Sequence, residues 1–196
     1  MNITAQQIAK FRARTGLPMM ECKKALMETN GDEEKAIEFL RKRGITKAAE
    51  KSERTTKSGL VESYVHGGKI GVLVEVLSET DFVAKNDEFK SFVHDVALHI
   101  AAANPKYLSR DDVPKEEIDE EKKIFEDQLA AEKKPAEIIA KIIDGKMEKF
   151  YSEVCLLNQP FVKDPEMTVG GLLTSKVAKI GENIVISRFC RFEIGR

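Results

Sequence analysis

The apolar residues of this chain change character about a quarter of the way along. Up to Gly44 they recur at helical spacing, from Gly59 they gather into β-rich runs, and residues 45–58 between them hold almost nothing apolar after Ile45. A helix buries a stripe every 3.6 residues and a strand buries a face every two, so the two parts cannot form one kind of layer. The reading is an α+β chain: a helical front, an exposed helical extension or linker, and a core of antiparallel sheet packed with helices. With 196 residues and 42% hydrophobic content, the chain can fill that core without covalent staples.

The front reads as three short helices. Thr4 and Gln7 form a capping box, with Ile3 and Ile8 at the positions of a hydrophobic staple, so a helix starts near Ala5. Thr15-Gly16 stops it, Pro18 suits the first turn of a second helix, and Asn30-Gly31 closes that one. Asp32 caps a third, in which Ala36, Ile37 and Leu40 share a face, and Gly44 reads as its end. Residues 59–65 and 70–77 flank His66-Gly67-Gly68-Lys69, where the glycines can take the positive φ of a tight hairpin. A helix over about 87–103 follows, with Phe89, Phe92, Val93, Val96, Ala97 and Ile100 on one face. Residues 114–157 read as acidic, largely surface-facing helix that opens at Pro114, restarts at Pro135 and pauses at Gly145. A helix over 168–180 is expected to break at Gly170-Gly171. On the closing strand Ile184, Ile186, Cys190, Phe192 and Ile194 share a face, interrupted by Arg188.

Charge and composition exclude several classes. Net charge is −1, with 13 Lys/Arg against 8 Asp/Glu over residues 1–57 and 8 against 13 over residues 111–149. Even the basic front is interleaved with acids, which argues against direct nucleic-acid binding, because that affinity rests on uncompensated Lys and Arg. No run reaches the roughly 20 apolar residues of a membrane span, and no basic-then-apolar leader is present, so a cytoplasmic protein with no membrane partner is expected. Cys22, Cys155 and Cys190 are too few and too far apart for a disulfide framework or a zinc site. His94 and His99 stand five residues apart on one helix and point apart, and His66 lies in a turn, so no shared metal is expected. Gly67-Gly68 sits in a hairpin and Gly170-Gly171 lacks a following Lys-Ser/Thr pair; no nucleotide or other cofactor is expected. The carboxylates between Asp111 and Glu137 lie on polar helices where they stay solvated.

Thr80-Asp81-Phe82-Val83 admits two readings. Its local pattern favours a strand-to-helix turn in which Thr80 or Asp81 caps and Phe82 tucks into the core. Against that, Asn86 already supplies a cap for the long helix, and the apolar set is adequate without Phe82. An outward Phe at a protruding turn would be an aromatic anchor for a partner.

Four segments in order carry a resemblance. They are Thr15-Gly16-Leu17-Pro18-Met19-Met20-Glu21-Cys22-Lys23-Lys24-Ala25-Leu26, Glu79-Thr80-Asp81-Phe82-Val83-Ala84, Gln159-Pro160-Phe161-Val162-Lys163-Asp164 and Arg188-Phe189-Cys190-Arg191-Phe192-Glu193. Together they resemble the bacterial elongation factor Ts family, in its short form with one core unit. The resemblance implies a guanine-nucleotide exchange factor of the GTPase elongation factor Tu. It implies a ubiquitin-associated-like (UBA-like) front, residues 1–54, docking through Leu17, Pro18, Met19 and Met20, and a core, residues 55–196, presenting Thr80, Asp81, Phe82 and Val83. In the family this tip enters near the magnesium and phosphate sites, displaces Mg²⁺ and loosens GDP, without catalysing a reaction itself. Since the chain lacks the second core unit of longer members, a homodimer through its C-terminal strand is the expected assembly. Two rivals remain: an adaptor with no exchange activity, and a hydrolase that pairs Asp81 with His66 or His94.

Overall fold

The computed structural model describes residues 3–15, 17–129 and 135–195. The stop at Gly16, and Glu132 within the acidic run, lie outside the described residues. The fold is α+β, with eight α-helices among the described residues, a three-stranded sheet and a two-stranded one. Compact units divide the chain non-contiguously. One joins residues 1–60, 76–92 and 173–185, the other residues 61–75, 93–172 and 186–196.

In the first unit, α1 (Ala5–Thr15) begins with the expected capping box: Thr4 N–H donates to Gln7 Oε1 at 2.9 Å and Gln7 N–H to Thr4 Oγ1 at 3.2 Å. Helix α2 (Met19–Glu28) takes Pro18 at its N-cap, one position earlier than the first turn. Helix α3 (Glu33–Lys51) is capped by Asp32, which accepts from Lys35 N–H at 3.1 Å. Ile8, Phe11, Cys22, Ala25, Leu26, Ala36 and Leu40 bury together between these three helices.

Gly44 does not end α3; the helix runs seven residues further, to Lys51. A Cβ placed on Gly44 would lie 3.5 Å from Ala178 Cβ, so the glycine is a point of close helix packing and not a stop. On either side of it Arg43 and Lys47 reach back to Glu21 at 3.4 and 3.0 Å, tying α3 to the start of α2.

Strands β1 (Ser58–His66) and β2 (Ile70–Ser78) form the expected hairpin, with Gly67 and Gly68 at φ 56° and 69° and Lys69 N–H donating to His66 O at 3.0 Å. Helix α4 (Asp81–Ala84) and helix α5 (Asp87–Ala103) follow. Phe89, Phe92, Val93, Val96, Ala97 and Ile100 are all fully buried, as their spacing requires.

The acidic segment folds into α6 (Lys115–Leu129) and α7 (Ala136–Val154). It is less surface-facing than its charge suggests. Met147 and Phe150 bury with Val113 and Cys155, and Ile118, Phe125, Ile143 and Tyr151 pack around them. Gly145 causes no pause in α7, because intrahelical bonds continue through a residue that costs only about 1 kcal/mol relative to Ala.

Strands β3 (Pro160–Phe161) and β4 (Asp164–Thr168) pair antiparallel. Helix α8 (Val169–Ile180) begins immediately after and is not broken by Gly170-Gly171, which occupy its first turn. There Thr168 Oγ1 accepts from Gly171 N–H at 3.0 Å. Strand β5 (Ile184–Glu193) closes the sheet in the order β1-β2-β5. It runs antiparallel to β2, since Ile194 N–H bonds Lys69 O at 3.0 Å while Arg188 bonds Glu75 at 2.8 Å. The face that carries Ile184 and Ile186 is buried there, but is open from Arg188 onward. Cys190 is exposed, and Phe192 and Ile194 are 72% and 76% exposed.

Candidate functional site

The 80–83 segment keeps the cap of the first sequence reading, at Thr80, but not its inward Phe82, which stands outward as in the second. Strand β2 ends at Ser78, which is fully buried and donates from Oγ to Thr80 O at 2.9 Å. Thr80 is extended (φ −123°, ψ 158°) and is the N-cap of α4, accepting from Val83 N–H at 3.5 Å. Val83 is buried and anchors the turn. Phe82 points away from the core, 81% exposed, the most exposed of the large apolar residues described.

Asp81 is exposed beside Phe82 and pairs with Lys85 Nζ at 2.7 Å. The hydrogen bond from Lys85, together with its charge, holds the Asp81 carboxyl below the usual range. Asn86 Oδ1 accepts from Glu88 N–H at 2.7 Å and so caps α5, as its position suggested. Glu88 in turn receives Lys176 and Lys179 at 3.0 and 2.7 Å.

What holds Thr80 was not visible in the sequence. Its N–H and its hydroxyl both donate to Glu182, at 3.0 Å to Oε2 and 2.7 Å to Oε1, across 102 residues. One position to either side the exchange is reversed: Glu79 Oε1 accepts from Asn183 N–H at 2.6 Å. Thr80 and Asp81 are therefore both engaged, although Asn86 caps the long helix that follows.

The second expected patch lies at the start of α2. Met19 and Met20 are 49% and 61% exposed, and Pro18 is exposed. Leu17 differs: it is half-buried and packs against the front core, so it supports the patch more than it presents it. Pro18 O accepts from Glu21 and Cys22 N–H at 3.0 and 3.1 Å, and Cys22 Sγ lies 3.6 Å from Leu17 O, which fixes the turn that carries the two methionines.

The histidines are engaged separately. His66 Nδ1 lies 3.1 Å from Tyr64 Oη, and His94 Nδ1 lies 3.1 Å from Glu62 Oε1. His99 is fully buried; Val162 N–H donates to its Nδ1 at 3.3 Å, which leaves Nε2 to donate to Gln159 Oε1 at 2.9 Å. Burial pushes its pKa down, with Gln159 opposing. Asp81 is committed to Lys85, so neither exposed histidine has it as the carboxylate partner that the hydrolase reading needs. Among the described residues there is no group of three His, Cys, Asp or Glu placed to hold a metal, and no helix is long and apolar enough to cross a membrane.

The model of a family described as "Elongation factor TS" matches residues 90–196. Full-length similarity takes in the tip and the front helices as well. Elongation factor Ts of Alkaliphilus oremlandii is 57% identical over 195 residues, which is 100% of this chain and 90% of that protein. The Carboxydothermus hydrogenoformans protein of the same name is 57% identical over 98% of this chain and 89% of its own length. That of Caldanaerobacter subterraneus is 56% identical over 98% and 97%.

Proposed function

Because this chain belongs to the elongation factor Ts family, we propose that it is a guanine-nucleotide exchange factor for elongation factor Tu. It binds the GDP form, displaces Mg²⁺ and releases GDP so that GTP can enter. The observation that carries this reading is Phe82, held outward on a one-turn helix whose base is tied down at Thr80.

Mg²⁺ demands near-octahedral oxygen ligands at about 2.1 Å, so displacing one supporting element by about an ångström spoils its site. A rigidly mounted aromatic ring is a suitable wedge. Burial of one Phe supplies about 2–3 kcal/mol, which offsets at most about a hundredfold of nucleotide affinity. Linkage requires that a contact which weakens GDP is weakened by GDP to the same degree. Holding affinity must then come from contacts insensitive to nucleotide. We assign it to the UBA-like module within residues 1–54, through Met19 and Met20, and the wedge to the core within residues 55–196. The chain performs no chemical conversion, needs no cofactor or nucleic acid, and works in the cytoplasm where its partner works.

The test is release of mant-GDP from elongation factor Tu at rising concentrations of the factor. Phe82→Ala is expected to lower the saturated release rate while keeping the half-saturating concentration; Met20→Ala is expected to do the reverse. An unchanged saturated rate for Phe82→Ala defeats the wedge. Binding without any acceleration by the wild type makes the chain an adaptor.

A homodimer is the second reading. Edge strand β5 and its neighbours expose Val61, Val65, Leu73, Phe192 and Ile194, more apolar surface on one sheet than a solvated face usually carries. Sedimentation showing only monomer at micromolar concentration removes it.

A further inference from the structure

Helix α4 has only four residues, and a single isolated turn is unstable in water because nucleation costs more than one hydrogen bond returns. Its one buried side chain is Val83, and its internal cap bond is long at 3.5 Å. The direction of Phe82 must therefore be set by whatever fixes the residue before the turn. Thr80 is fixed by Glu182, whose two carboxylate oxygens take both of its donors at 3.0 and 2.7 Å. Charge-assisted bonds of this kind are about twice as strong as neutral ones, and two of them leave Thr80 a single orientation.

Glu182 is itself placed by a turn with no slack. Gly181, at φ +91°, ends α8 in a conformation that side chains rarely adopt, and its carbonyl receives Lys51 Nζ. Asn183 is buried, donates its N–H to Glu79 at 2.6 Å, and donates its side-chain amide to Ser52 O and Arg54 O at 3.3 and 2.9 Å. The turn at 181–183 is thus pinned to the base of the tip on one side and to the end of α3 on the other. Helix α3 is the last helix of the front module.

We infer that Glu182 is a positioning residue for nucleotide exchange: it orients Thr80 so that Phe82 stands outward, in fixed register with the end of α3. This rests on the exchange reading above. Glu182 acts through Phe82, so removing it should matter only while the ring is present.

The experiment is a double-mutant cycle on the full chain, with mant-GDP release from elongation factor Tu as the readout. Glu182→Ala is expected to lower the saturated release rate about tenfold, the cost of losing one charge-assisted pair at the tip, with the half-saturating concentration little changed. Glu182→Gln, whose amide oxygen accepts only one of the two bonds, should fall between it and wild type. In the Phe82→Ala background, Glu182→Ala should have no further effect. If Glu182→Ala does not fold, the Gln variant carries the same cycle. Additive effects of the two sites, or an unchanged saturated rate for the Glu182 variants, overturn the inference. Failure of the wild type to accelerate release overturns instead the exchange reading on which it rests, whereas a Phe82→Ala variant as fast as the wild type defeats the wedge and this inference with it.

Discussion

Replacing Gly44 by Ala should stabilise the protein, although the sequence reads this glycine as a helix stop. Gly44 is buried inside α3, and its φ is not positive, so an L-residue fits without backbone strain. Alanine in a helix interior is favoured over glycine by about 0.8–1.0 kcal/mol. The added methyl would meet Ala178 Cβ at 3.5 Å, an ordinary van der Waals contact, and it faces a small space of about 20 Å³ lined by Leu17, Leu40 and Lys47 among others. Burying one methyl contributes up to about 0.8 kcal/mol. The sum is about 1–2 kcal/mol, or a rise of about 3–6 °C in Tm for a chain of this size. Urea unfolding of Gly44→Ala should show a higher midpoint at unchanged slope, because the surface exposed on unfolding is the same. Gly44→Leu is the control: Ala178 Cβ already stands in contact with the first added carbon, so a branched side chain overpacks at an expected cost of about 1–3 kcal/mol. A lower midpoint for the Ala variant, or equal stabilisation by Leu, would show that helix propensity and packing space have been misjudged here.

The opposite sign is expected at Gly170, where a Cβ would fall 2.8 Å from Leu157 O, a backbone atom that cannot swing aside. Gly170→Ala should therefore lower the urea midpoint, with steric cost of about 1–3 kcal/mol exceeding the helix preference of about 1 kcal/mol. His99 gives a pH dependence: its folded pKa lies below the ordinary value of 6.5, so its contribution is fully present above about pH 6.5 and is lost as pH falls towards the folded value. Between pH 7.5 and 5.5 the wild type should lose at most about 1.4 kcal/mol per pH unit from this one proton, and His99→Gln should lose less; equal losses refute the assignment.

Local rules carried the caps and turns well. The Thr4–Gln7 box, the Asp32 cap, the Asn86 cap and the hairpin glycines all involve residues two to four apart, and short-range spacing determines such bonds. The same rules misjudged Gly44, Gly145 and Gly170. Glycine's intrinsic cost in a helix is about 1 kcal/mol, and a tertiary contact can outweigh it. At Gly44 it is an ordinary packing contact with Ala178, at Gly170 a carbonyl of Leu157 too close for any side chain, and neighbours separated by more than ten residues leave no mark on a local pattern.

The tip shows why a motif can be found while its mechanics stay hidden. Phe82 lies in a segment that a family resemblance picks out, and its exposure follows from Val83 taking the inward position of the turn. Glu182 sits 102 residues from Thr80 in a stretch with no periodic or motif signal, yet it takes both donors of that residue. A carboxylate in a loop is ordinarily solvated, so composition alone assigns it nothing. Only the backbone path, with Gly181 at positive φ and Asn183 clamped to Ser52 and Arg54, turns that ordinary residue into the one that sets where the aromatic ring points.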